Sequence, residues 1–189
     1  LAAQGCFAQQ GYASASVSMI CERAGVSKGA FYHHFPTKQA VFLALLDHWL
    51  AGIDARLAVC REEANTAEAF EHMAEVVGDV FRDGRGQLPL FLEFWAQAAH
   101  DPVIWEATIT HYQRYRRVFA QMIEAGIAGG ALRPMDAEAV AQALVSFAVG
   151  IILQGLLDPQ GEDWGQMARA GVQLWLCALQ QKNDKVVRE

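Results

Sequence analysis

Between Lys28 and His34 the chain reads KGAFYHH, a cation, two small residues, a phenol and two imidazoles set around one phenylalanine. If this stretch is helical, Phe31 and Phe35 lie i, i+4 apart and can turn inward. Lys28, Gly29, Ala30, Tyr32 and His33 are then left on the outer side. Such a face suits a nucleic-acid duplex. The ammonium attracts phosphate, and the phenol and imidazole can donate to phosphate oxygens. The small residues let the backbone approach base edges, and the Ala30 methyl can meet a thymine methyl.

The flanking residues carry the signals needed to hold that helix. Val17, Ile20, Cys21 and Ala24 share one face of a preceding helix, Val17–Ala24, which Ser16 or Ser18 can cap. Gly25 ends it, where a residue free to turn left-handed is wanted. Val26 is expected to plug the angle between the two helices, and Ser27 to cap the second, Lys28–His34. Pro36 stops that helix because it has no amide to donate. Thr37 caps a long helix whose Val41, Phe42, Leu45 and Leu46 face the motif. Two short helices with glycine in the turn are the sequence form of a helix-turn-helix.

The stretch GYASASVSMICERAGVSKGAFYHHFPTKQAVFLALL resembles the DNA-binding domain of the TetR (tetracycline repressor) family, over roughly Leu1 to Leu50. The specific part is AGVSKGAFYHHF followed by Lys38 and a helix bearing Phe42. The resemblance implies an all-α protein. A small helix-turn-helix domain would occupy 1–46, and a larger helical ligand-binding and dimerisation domain 47–189. It implies a homodimeric regulator, most simply a repressor released from a near-palindromic double-stranded operator by a lipophilic small molecule. No catalytic residue, cofactor or metal is expected. The DNA-facing set is expected to be Ser16, Ser18, Ser27, Lys28, Gly29, Ala30, Tyr32, His33 and Lys38.

Bulk numbers fit a protein that touches DNA with one end. Hydrophobic residues make up 53% and charged residues 19%, which excludes a disordered chain. The net charge is -6, yet the first 46 residues hold Arg23, Lys28 and Lys38 against Glu22 alone, leaving them at +2 and the remainder at -8. Family members usually begin with a basic leader. Here Ala2, Ala3, Cys6 and Phe7 are already in helical phase, so such a leader is expected to lie upstream of Leu1. Cys6, Cys21, Cys60 and Cys177 form no CxxC pair, the habit of free thiols in a reducing cytoplasm. The longest apolar run, Leu144 to Leu157, reads as too short to span a bilayer, so no membrane role is expected.

In chain order the sequence predicts the end of a first helix to Gln10, a turn at Gly11-Tyr12, the motif, and a fourth helix to about Glu63. Further helices follow from Thr66 to about Asp83, Leu88 to Ala99, Pro102 to about Ala128, Asp136 to about Leu157 and Asp163 to Gln181, with a turn at Gly84 to Gln87 and a polar tail. No repeat and no strand pattern stands out. No linker rich in proline, glycine or serine separates the two domains, so movement of one is expected to reach the other.

The aromatic stripe of the later helices suits a plain core; the resemblance adds a pocket for apolar or cationic ligands. Trp95, Trp105, Tyr112 and Phe147 are its expected walls, and Gln97, His111 and Gln154 its polar tips. Ala143, Phe147, Ile151, Met167, Ala170, Gly171 and Leu174 are the small and apolar residues expected to face a second copy. Two rival readings are a helix-turn-helix protein controlled by a protein partner and an enzyme. Against the enzyme, the histidines are dispersed without an HExxH, and Ser27 lacks a GxSxG setting.

Overall fold

The computed structural model describes residues 1–62, 65–83 and 88–180. Among them nine helices follow one another: α1 (Ala2–Ser14), α2 (Val17–Ala24), α3 (Lys28–His34), α4 (Lys38–Glu62), α5 (Thr66–Asp83), α6 (Leu88–Ala98), α7 (Pro102–Ala128), α8 (Ala137–Leu157) and α9 (Trp164–Leu179). The only extended pairing in the described residues is a single antiparallel bridge between Leu132 and Gln180. The expected turn at Gly84 to Gln87 and the polar tail lie outside the described residues.

The chain divides into two compact units, Leu1–Asp54 with Asp83–Tyr112, and Ala55–Arg82 with the chain from Gln113 onward. By compactness α6 and the start of α7 belong with the N-terminal helices, whereas the sequence reading had placed them with residues 47–189. Helices α4 and α7 each contribute residues to both units.

The first unit is built on a column of aromatic rings. Phe7 meets Phe42 edge-on at 5.3 Å, Tyr12 lies 4.5 Å from Phe42, and Phe94 lies 4.3 Å from it. Phe42 is fully buried, and α1, α4 and α6 are joined through it. The expected turn at Gly11-Tyr12 takes the form of a kink: Gly11 sits at φ 74°, ψ 164°, and the helix resumes beyond it to Ser14. Asp101 caps α7, its Oδ1 accepting from the amides of Val103 at 2.9 Å and Ile104 at 3.3 Å. Its other oxygen accepts from Gln39 Nε2 at 2.6 Å, which ties the start of α7 to the start of α4.

The second unit packs α8 against α9 through small residues. The Phe147 ring lies directly on Gly171. The Phe81 ring lies on Gly155, with Trp164 behind it. Asp136 and Asp163 cap α8 and α9 through the amides of Ala139 and Gln166. Helix α8 is longer than the apolar run read from sequence. With a mean hydropathy of 2.0 it is, among the described residues, long and apolar enough to cross a membrane by length and composition alone. It also places Ala141, Leu144, Val145, Ile151 and Ile152 in the interior, and the core helix of a soluble protein passes the same test.

Because a methyl at position 155 would meet the Phe81 ring, Gly155→Ala is expected to destabilise the protein by about 1–3 kcal/mol in urea unfolding. Phe81→Leu in the same chain is expected to recover part of that loss. Strictly additive losses would show that the ring is not what the methyl meets.

Candidate nucleic-acid interface

The local structure around α3 follows from four hydroxyl and glycine signals. Ser16 Oγ accepts from Met19 N at 3.3 Å and so caps α2, leaving Ser18 exposed and outside that role. Gly25 sits at φ 67°, ψ 30°, and Val26 N donates back to Cys21 O at 3.0 Å, closing the helix end. Ser27 Oγ accepts from Ala30 N at 3.1 Å and caps α3. Thr37 Oγ1 accepts from Ala40 N at 3.0 Å and caps α4. The expected plug does not form: Val26 is 45% exposed, and Ala24 is exposed as well. Ile20 and Cys21 alone hold the buried side of α2.

Helix α3 is split cleanly by burial. Phe31 is buried, half-buried Phe35 has its ring 6.0 Å away, and the Tyr32 ring stands edge-on to Phe31 at 5.3 Å. Lys28, Gly29, Ala30, Tyr32, His33 and His34 are all exposed. Gly29 has open space around it, since a Cβ there would meet only Ser27 Oγ at 3.8 Å. The hydroxyls of Ser16 and Ser27 use one lone pair each in capping and keep an O–H to donate.

Lys38 does not face outward as expected. Its ammonium donates to three carbonyls, Tyr12 O at 2.6 Å, Ala13 O at 3.3 Å and Ala15 O at 2.9 Å, and lies 4.4 Å over the Tyr12 ring. All three N–H groups are thus occupied at the corner between α1 and α2, with none left for a phosphate. Arg23 is similarly engaged, donating to Gln9 Oε1 at 2.8 Å with its guanidinium against Gly5. Both cations thus spend direct hydrogen bonds inside the protein, and Lys28 is the lysine the recognition face presents.

The seven expected ligand residues do not share a unit. Trp95, Gln97, Trp105, His111 and Tyr112 fall in the first, Phe147 and Gln154 in the second. Trp95 and Trp105 stand 38% and 53% exposed, which does not suit the walls of an enclosed pocket. His111 Nε2 lies 3.9 Å from Asp47 Oδ1, and exposed Gln154 donates to Gly150 O in its own helix. Sequence reading missed a cleft of about 150 Å³ in the first unit, where Leu45, His48 and Trp49 face Leu90, Phe91 and Phe94. The i, i+4 pair Leu45 and Trp49 was its one signal. Of the residues expected to face a second copy, Met167 is 44% and Leu174 73% exposed, whereas Ile151 is buried within its own chain and has no surface to offer. Among the described residues no three His, Cys, Asp or Glu side chains gather to hold a metal.

A capped two-helix motif with an exposed polar recognition face, in an all-helical chain, defines a helix-turn-helix transcriptional regulator. Residues 1–45 match the pattern of the tetR family of bacterial regulatory proteins, and residues 66–174 that of the C-terminal part of BetI-type transcriptional repressors. The chain belongs to the TetR family, whose members are regulators rather than enzymes. It is 28% identical over 167 residues to the HTH-type transcriptional regulator BetI of Ectopseudomonas mendocina (strain ymp), covering 85% of this chain and 81% of that protein. It is 25% identical over 168 residues to the regulator UidR of Escherichia coli (strain K12), covering 88% and 82%. A transcriptional regulator from Saccharomonospora viridis, solved in complex with choline, shares the fold at a TM-score of 0.82 and 22% identity, covering 96% of this chain and 95% of that one.

Lys38→Met is expected to lower stability by about 1–3 kcal/mol, because it takes the shared donor from three carbonyls at a helix end, the bonds to two of them part-buried, and to lose DNA binding with it. Lys28→Ala is expected to keep the unfolding midpoint and weaken DNA binding alone. The same stability for both variants would contradict the capping role.

Proposed function

We propose that this chain is a repressor that binds a near-palindromic operator as a homodimer and is released by a small lipophilic molecule. The observation that carries the DNA half is the division of α3, Phe31 inward and Lys28, Gly29, Ala30, Tyr32 and His33 outward. Lys28 and Tyr32 are assigned to phosphates, Gly29, Ala30 and His33 to the base-proximal face, with the Ser16, Ser18 and Ser27 hydroxyls beside them. One such helix reads few bases. Two copies related by a two-fold axis reach successive major grooves about 34–36 Å apart.

Support for pairing comes from α8 and α9. Only 33% of the most apolar window of α8 is buried within the chain, and Leu174 and Met167 are exposed beside it on α9. Ala143, Phe147, Met167, Ala170, Gly171 and Leu174 form the proposed seam, with Phe147 and Gly171 already packed on each other in one copy. Small-molecule control is supported by the BetI-type C-terminal match and by the choline-bound neighbour. A ligand that shifts the protein away from its DNA-bound state must bind the released state better, and each factor of ten takes about 1.4 kcal/mol of differential binding.

Selection of bound DNA from a random pool tests the reading as a whole, the expected product being an inverted repeat with one-turn spacing. Unsymmetric or unenriched sequences would end it. In salt titrations Lys28→Ala is expected to weaken binding to every sequence and reduce the slope by about 1 per recognition helix. Leu174→Glu is expected to convert a dimer to a monomer in sedimentation and to lower operator affinity at least tenfold. A Leu174→Glu protein that stays dimeric would move the interface elsewhere.

A further inference from the structure

We infer that the effector of this chain presents a hydrogen-bond acceptor, a carboxylate or carbonyl oxygen on an apolar tail, to the hydroxyl of Tyr115 on α7. This inference rests on the small-molecule reading above and deepens it. The Tyr115 phenol oxygen is sealed from solvent and has no hydrogen-bond partner among the described residues. One residue on, Arg116 shows the same at Nε, although its Nη2 lies 3.6 Å from Glu138 Oε2. Consecutive helical residues leave the axis at nearly one level in adjoining sectors. Tyr115 also shares its face with Phe119 and Ile123, at i+4 and i+8, both of which are buried. The phenol thus stands on the apolar side of α7.

The polarity of these two groups selects the ligand. A guanidinium holds donors only. The phenol can donate or accept, but burial pushes it up to about 12, against the opposing pull of Arg114, so at neutral pH it keeps its proton to give. A desolvated hydroxyl without a partner costs about 1–3 kcal/mol, which a bound acceptor would recover. A quaternary ammonium has no lone pair and would leave the phenol's proton unmet. A carboxylate or carbonyl oxygen meets it.

The test uses dodecanoate and dodecyltrimethylammonium, equal chains with opposite heads, on the wild type and on Tyr115→Phe. Dodecanoate is expected to raise the unfolding midpoint of the wild type and the ammonium to do so much less. Tyr115→Phe is expected to weaken dodecanoate about tenfold while the free protein unfolds at the same temperature or higher, since an unmet hydroxyl has been removed. A free midpoint that falls would show the hydroxyl already bonded inside the protein. Unchanged dodecanoate binding by Tyr115→Phe would show it bonded to water only. Either result overturns the inference, as does preference for the ammonium or binding of neither probe. Operator binding is measured alongside. Release by the ammonium keeps the inducible reading and sinks the acceptor, whereas dodecanoate binding without release keeps the acceptor and sinks induction.

Discussion

The three hydrogen bonds from Lys38 hold the corner on which the recognition helix depends. A helix that ends leaves carbonyls without partners, and here a kink at Gly11 is followed within a few residues by the start of α2. The carbonyls of Tyr12, Ala13 and Ala15 converge on one ammonium, which has three protons to give. A cation at a helix C-terminus is also favoured by the helix dipole, and the Tyr12 ring adds its electron-rich face. Burial, and then the Asp101 carboxylate, raise the Tyr12 phenol above its ordinary value, so the ring is neutral at neutral pH.

That corner is joined to more than the motif. Gln39, next to Lys38, holds the Asp101 carboxylate that caps α7. Any rearrangement at the start of α7 that breaks the Gln39–Asp101 bond therefore acts one residue away from the group fixing α1 and α2. On the proposed reading this gives induction a short route inside the first unit. Phe42, at the centre of the ring column, lies one helical turn further along α4, so the route passes through close-packed atoms that respond by moving together.

The motif was legible because its determinants are local. Ser16, Gly25, Ser27 and Thr37 set helix ends through groups three to five residues away, and the i, i+4 pair Phe31 and Phe35 marks which side of α3 turns inward. Lys38 was misread because the carbonyls it serves lie 23 to 26 residues earlier in the chain, a pairing that no local pattern encodes. The same limit applied to the ligand residues. An aromatic stripe at helical spacing says that a face is apolar, not whether it is covered, so Trp105 and Ile151 were misjudged in opposite senses. Tyr115 stood in that stripe unremarked, since an orphaned hydroxyl exists only once the atoms around it are placed.

Arg23 and Lys38 keep their charge when they donate to neutral oxygens, but their direct contacts are spent inside the protein. Non-specific affinity grows with the number of phosphates contacted, and within residues 1–46 Lys28 is the cation that α3 presents outward. The remainder of the chain, at -8, repels a polyanion at longer range. On the proposed reading, binding gains strength where two faces are matched to two grooves at once, because the second contact is then intramolecular. Operator spacing then adds to whatever phosphate attraction each head supplies, and an effector that binds better when the two heads are set apart shifts the protein off its site.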